Sequence, residues 1–481
     1  MMMCYNDNQS WEQRSINMKS IDSGIGKIPG IGAVWAVICE ALIDDSDALA
    51  AGRRRYLCAA WAEGIILSVV TGIYFTGLLL AAGADDMFIG HVQNATTFCG
   101  IMQFFAPLLL ERMKRRKAYL LTMRTLYHVI NIGVIGILPL LPIGKTAMLG
   151  GFITAVILAN LISAFSTMGL NVWKIQSVPE QKHNAFFSVL NIGSSIITKA
   201  AAFAAGSLLD AFEGNGTAAL GLSPTMTAML LLRCAAVVFA VIELIALARL
   251  REFPYEQDVD ARNNRGLRLL SKPLRDKRFM LAISVILLYY FITALPGNFF
   301  DVYLISEVGI SYAYISVCSM IVLPMSLIMS AVWSVLLEKF GWRPILAIAV
   351  ILDSLAYFFN LPVTPDTQYF YLWIQICVGV FGPCITIVFA YLPYQNMPKE
   401  NRTAYLGFQS LMTTVCTFLG NFAGTQFIRL TKGTTLTIFG FTMRNIQYIM
   451  IIPFVGLILV GIWVYIVGGI LQKRGQSAEQ V

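Results

Sequence analysis

Twelve apolar stretches of roughly 20 residues follow one another along this chain, separated by short polar turns. They fall near 57–82, 91–110, 118–142, 147–171, 185–209 and 224–248, then near 279–300, 313–337, 345–362, 369–392, 404–427 and 446–470. A helix rises ~1.5 Å per residue, so each stretch can cross the ~30 Å hydrocarbon core of a bilayer. Inside lipid the backbone must satisfy its own hydrogen bonds, and a single helix does so without a neighbour. Only 13% of the residues are charged, about half of the ~25% usual in a soluble domain. A water-soluble globule is excluded, and the sequence predicts an all-α, polytopic membrane protein with twelve transmembrane helices.

The longest charged interruption, Arg249 to Arg278, divides the spans six and six. The expected organisation is an N-terminal segment (1–55), a six-helix bundle (56–250), a linker (251–277), a second six-helix bundle (278–472) and a tail (473–481). Lys and Arg set the orientation. With both termini cytoplasmic, the external loops hold only Lys145, Arg429, Lys432 and Arg444, and the spans hold Arg124, Lys199 and Arg233. All other basic residues then lie on the cytoplasmic side, as the positive-inside rule requires. The net charge of +8 is thereby a topology signal and not a nucleic-acid footprint. The segment "GIGAVWAVICEAL" (30–42) is too short to span; it fits an interfacial helix or a disordered lead, and no role is assigned to it. The nine cysteines form no CxxC or Cys/His cluster, so neither a disulfide framework nor a metal site is expected.

Two polar elbows are written twice. "QSVPEQKHNAFF" (176–187) and "QNMPKENRTAYL" (395–406) share Gln, Pro and Ala in register at an offset of 219 residues. Val178 is answered by Met397, His183 by Arg402 and Phe186 by Tyr405. A second echo pairs "PLLLERMKRRK" (107–117) with "SVLLEKFGWRP" (334–344) at an offset of 227. Each follows the second span of its half and gives an acid, a base, then a further base near the next helix. Six spans per unit is an even number, so both units enter the membrane in the same sense.

These loops resemble the major facilitator superfamily, whose signature between spans two and three runs Gly-x-x-x-Asp-Arg-x-Gly-Arg-Arg. Glu111, Arg112, Arg115 and Arg116 keep that spacing, with Pro107 and Lys114 at the glycine positions; Glu338, Lys339, Gly341 and Arg343 fit the same frame in the second half. The resemblance extends from about residue 56 to 472. It implies two pseudo-symmetric bundles, in which Glu111, Arg112, Arg115, Arg116, Glu338, Lys339 and Arg343 serve as a cytoplasmic gate. It also implies a cavity lined by the first, fourth, seventh and tenth spans, helped by the second, fifth, eighth and eleventh. Arg124, His128, Arg233, Glu243 and Asp353 would then be scaffold pairs.

Ionisable residues inside a membrane are costly, so each is a candidate for function. Span five places Ser188, Asn191, Ser195 and Lys199 on one helical face. Lys199 lies ~21 Å from the cytoplasmic end of that span, too deep to snorkel, and is the leading candidate to bind a solute's carboxylate, phosphate or sugar oxygen. Asn160 and Ser163 on span four, Gln375 on span ten and Gln409 on span eleven head polar stripes on other cavity helices. Tyr289 and Tyr290 in span seven offer stacking surfaces; adjacent side chains point to different faces, so at most one of the two is expected in the cavity, with Tyr290 the candidate. Glu63 is the candidate ion carrier, or else a partner for Arg124.

The expected function is secondary transport of a small polar or anionic solute by alternating access, coupled to protons or sodium, by a monomer in the cell membrane. Drug efflux is the competing expectation, although span five lacks the glycine-rich, proline-containing stretch of the family's drug exporters. A receptor or enzyme is a remote one, because no acid/base, metal or nucleophile constellation is present. No GxxxxGK[ST] loop occurs, so transport driven by ATP within this chain is not expected.

Overall fold

The computed structural model of the chain describes residues 49–110, 113, 115–178, 183–216, 221–252, 272–398, 402–438 and 441–479. The predicted 30–42 segment, most of the 251–277 linker, Glu111 and Arg112 lie outside the described residues.

In chain order the helices are α1 (Ala50–Ala81), α2 (86–110), α3 (Lys117–Leu140), α4 (Lys145–Ile175), α5 (His183–Asn215) and α6 (Pro224–Ala248). They continue with α7 (Lys277–Val308), α8 (Tyr312–Phe340), α9 (Trp342–Asn360), α10 (Phe370–Asn396), α11 (Arg402–Leu430) and α12 (Asn445–Gln472). Among the described residues, ten of these are long and apolar enough to cross a membrane; α2 and α11 fall short. Helix α2 is interrupted by a 3-10 turn at Met102–Phe105, and α11 carries a polar residue at every fourth position from Gln409 to Thr425. Their polar faces meet. Asn94 Nδ2 donates to Thr425 Oγ1 at 2.9 Å, and Asn421 Nδ2 donates to Thr97 Oγ1 at 3.2 Å. Side-chain hydrogen bonds of this kind join helices where the hydrophobic effect gives no preference for protein over lipid.

The buried clusters fall mostly within one half or the other, although that of the first half also takes in Val302 and Tyr312 of the second. Helix α1 packs on α5 and α6, and α3 on α4, while α9 packs on α10 and α12, and α7 on α11 and α12. A β-hairpin (β1 Thr435–Ile438, β2 Phe441–Arg444) bridges α11 and α12 and is absent from the sequence expectation. The two elbows found in the sequence do the same job twice. Val178 and Phe186 pack with Tyr56 and Leu57 at the start of α1. Met397 and Tyr405 pack with Phe279 and Ile283 at the start of α7. Ring centroids stand 5.1 Å apart for Tyr56–Phe186 and 4.7 Å apart for Phe279–Tyr405. Each elbow thus locks the fifth helix of its half onto the first.

The contacts that join the halves sit toward the end opposite the elbows, the outer end in the predicted topology. Asp210 of α5 accepts the backbone N–H groups of Tyr312 and Ala313 at 3.1 and 3.0 Å, capping α8 from the other half. Gly206, one turn earlier, lets the chains touch: a Cβ there would lie 2.7 Å from the Tyr312 carbonyl carbon. Tyr74 stacks on Tyr312 at 5.9 Å. Helix α7 breaks at Pro296 and restarts at Gly297, which carries Asn298 into the seam, where its Nδ2 donates to Asn94 Oδ1 at 3.0 Å.

Candidate functional site

Below that seal, in the half of the molecule nearer the elbows, a cavity of about 710 Å³ opens between α7, α10 and α11. Tyr289, Tyr290 and Phe389 form an aromatic corner, with centroids 5.3 Å apart for Tyr289–Phe389 and 6.2 Å for Tyr290–Phe389. Facing them are Thr386, Gln409, Ser410 and Thr413. Among the described residues, no Asp, Glu, Lys, Arg or His lines the space. Several of its hydroxyls already donate within their own helices, Thr293 to Tyr289 O and Thr386 to Gly382 O, both at 2.9 Å. Their remaining lone pairs make them acceptors toward the cavity.

Of the eight solute-binding candidates, the cavity brings together Tyr290 and Gln409. The expectation that only one of the adjacent tyrosines lines it is corrected, for both do. Neighbouring side chains on a helix diverge by ~100°, not 180°, so a wide groove takes both. Gln375 lies one turn from Tyr371, nearer the outer end of α10, and is not in the lining. Asn160 Nδ2 donates to Val156 O at 2.9 Å, and Ser163 Oγ pairs with Thr167 Oγ1 at 3.1 Å, both inside α4. Asn191 is exposed, and Ser195 and Lys199 are half-buried on α5. Lys199 has no hydrogen bond or ion pair among the described residues. It lies seven and eleven residues before Gly206 and Asp210, on the same helical face, and so below the seal. Phe389 and Ser410 were missed; Phe389 follows Thr386 by three residues, a helical-face signal the polar stripe concealed.

The first half holds its charges elsewhere. Arg124 Nε donates to Glu243 Oε1 at 2.6 Å, and its Nη2 stands 2.8 Å from Glu63 Oε1, out of line for a hydrogen bond. Lys174 Nζ donates to Glu63 Oε2 at 2.9 Å, and His128 Nε2 lies 3.1 Å from Glu243 Oε2. Arg233 Nη1 donates to the Asn131 carbonyl at 2.6 Å, inside a π-helical turn of α3 (Val129–Val134). The network ties α1, α3, α4 and α6 together. Glu63 is held by two cations.

The sequence profile of the Major Facilitator Superfamily matches residues 56–421. The chain belongs to that superfamily. No protein of curated function matches it in sequence. Among solved structures, a mutant of the nucleoside transporter NupG is similar over 86% of this chain and 98% of its own, with a TM-score of 0.65 at 13% identity. A bacterial homologue of the iron transporter ferroportin, in its inward-facing state, covers 90% of this chain and 98% of its own at TM-score 0.62 and 14% identity. Its outward-facing state reaches 0.52 at 13% identity, covering 90% and 99%. At such identities the likeness is one of fold. The chain is a multi-pass integral membrane protein with the superfamily's architecture.

The superfamily's loop signature is tied down within each half. The backbone N–H groups of Arg116 and Lys117 donate to Glu252 Oε1 at 2.9 and 3.2 Å, so the end of α6 caps α3. Arg343 Nε donates to Tyr465 O at 2.9 Å, and its guanidinium sits 4.0 Å from the Tyr465 ring, binding α9 to α12. Gly341, at φ 75, makes the turn before α9 in a backbone region that side chains rarely adopt. Arg115, Glu338 and Lys339 are exposed.

Proposed function

We propose that this protein is a secondary transporter that carries a small, uncharged polar solute by alternating access. The observation that carries this reading is the cavity lining: an aromatic corner for one apolar face of a ring, and Thr386, Gln409, Ser410 and Thr413 for hydroxyl or amide groups. An ionised solute would find no counter-charge there, and leaving a charge unpaired out of water is costly. Sugars, polyols and nucleosides have the right chemistry.

The two halves, 56–250 and 278–472, act as rocking bodies joined by the 251–277 linker, in a monomer. The Lys/Arg bias supports placing both termini and the elbows in the cytoplasm of a cell-membrane protein, so the present state opens inward. Glu111, Arg112, Arg115, Arg116, Glu338, Lys339 and Arg343 are proposed as the inner gate, which meets only when the outer end opens. Proton or sodium coupling belongs to this proposal. Lys199 favours a second reading, an anionic solute bound across the gap between the halves.

Thermal stabilisation of the purified protein separates the readings, because a ligand of the native state raises its apparent stability. Uridine, adenosine, glucose and xylose are the uncharged probes; gluconate and phosphate are the anions. An uncharged probe stabilises the wild type, and Tyr290→Ala or Gln409→Ala weakens that probe about tenfold, the worth of one stacking contact or buried hydrogen bond. Stabilisation by the anions alone, abolished in Lys199→Ala, favours the second reading.

A further inference from the structure

Tyr289 connects the cavity to an acid behind it. Its ring lines the cavity, while its hydroxyl donates to Asp353 Oδ2 at 2.9 Å. Asp353 belongs to α9, none of whose residues is in the cavity lining, and it is 6% exposed. The ionisable groups that share its surroundings are Tyr289 of α7, Tyr357 of its own helix and Cys377 of α10. Helix α12, packed along α9, offers only Tyr465 between Ile451 and Leu471, and that ring is taken by Arg343. Helix α8 offers no titratable side chain between Ser319 and Trp333. Among the described residues no cation faces Asp353.

Glu63 and Glu243, two acids at membrane depth in the first half, are placed differently. Glu63 has Lys174 and Arg124; Glu243 has Arg124 and His128. A carboxylate without a counter-cation at membrane depth is costly to keep ionised, and taking up a proton removes that cost. Protonation also changes what Asp353 offers the cavity wall. A carboxylate only accepts, whereas a carboxylic acid accepts and also donates. The neutral acid therefore gains an O–H within reach of the Tyr289 oxygen, which the carboxylate lacks.

We propose that Asp353 is the proton-binding group of this transporter and that Tyr289 relays its protonation state to the solute cavity. The step is the addition of one proton from water to the Asp353 carboxylate; Tyr289 keeps its own proton throughout. This assigns to Asp353 the role that the sequence suggested for Glu63, and it rests on the transporter reading.

Two measurements on the full chain test it. Infrared titration of the purified protein follows the C=O band of protonated carboxylic acids. The band that titrates in the wild type should vanish in Asp353→Asn and persist in Asp301→Asn, which removes another membrane-level acid. A band retained in Asp353→Asn, or lost only in Asp301→Asn, overturns the assignment. The second measurement uses proteoliposomes and whichever of tritiated uridine, adenosine, glucose or xylose the wild type exchanges. The ratio of accumulation under an inside-alkaline gradient to exchange should fall at least about tenfold in Asp353→Asn, since exchange needs no net proton movement and each preparation serves as its own reference. An undiminished ratio overturns the coupling role. A wild type that exchanges none of the four sinks the transporter reading and the coupling role with it, while the infrared titration still decides whether Asp353 binds the proton. Should Asp353→Asn fail to elute as a single species, Tyr289→Phe takes its place: the infrared midpoint is expected to move by about half a pH unit or more, and an unmoved midpoint overturns the relay.

Discussion

Replacing Gly206 with valine is expected to open the outer end of the protein. Even the first carbon of a side chain there would stand 2.7 Å from the Tyr312 carbonyl carbon and 2.8 Å from the Ala313 nitrogen. These are backbone atoms that cannot swing aside as a side-chain tip would, so α5 and α8 must part. Parting them breaks both hydrogen bonds from the α8 amides to Asp210. A hydrogen bond to a charged group contributes ~1.5–3 kcal/mol, so losing the pair shifts a two-state balance by about a hundredfold or more. The readout is the labelling rate of a cysteine at Asn94, buried in the seam, in a variant otherwise free of cysteine. Labelling by an impermeant thiol reagent added outside should rise at least about tenfold. Gly150→Val serves as the control, because a Cβ at Gly150 meets nothing within 4 Å. Equal labelling in both variants would mean that the α5–α8 contact is not the outer seal.

The largest loss of stability is expected from Arg124→Leu. This one guanidinium answers Glu63 and Glu243 at once. Its removal leaves Glu243, 1% exposed, with His128 as its remaining partner, while Glu63 keeps Lys174. Breaking a buried ion pair from one side costs ~3–5 kcal/mol, because the stranded charge remains. The purified variant should unfold at a clearly lower temperature than the wild type. Adding Glu243→Gln should recover part of the loss, since it removes the stranded charge. A double variant less stable than Arg124→Leu would contradict this view of the network, as non-additivity of that sign means Glu243 acts through other contacts.

Much of the architecture was legible because the bilayer imposes it. Helix length and apolar runs are fixed by the membrane's thickness, so ten of the twelve stretches coincide, within a few residues at most ends, with helices long and apolar enough to span, among the described residues. The repeated elbow was informative for a packing reason: Val178 with Phe186, and Met397 with Tyr405, are the apolar residues that dock each fifth helix on its first. The site was less legible. Which face of a helix meets a cavity depends on its tilt and rotation, set by its neighbours and not by its own composition. Gln375 and Gln409 look alike in sequence, yet only Gln409 reaches the cavity. Likewise the sequence names no partner for Asp353, and only the fold brings the Tyr289 hydroxyl of α7 against it.

Solute counterflow in proteoliposomes tests the central claim most directly. Liposomes holding the reconstituted protein are preloaded with unlabelled uridine, adenosine, glucose or xylose and diluted into the tritiated compound. At least one probe should enter transiently above its equilibrium level, and Tyr290→Ala should reduce its initial rate about tenfold. Wild-type vesicles no different from protein-free ones for every uncharged probe, with the protein shown to be folded, would contradict the proposed solute class.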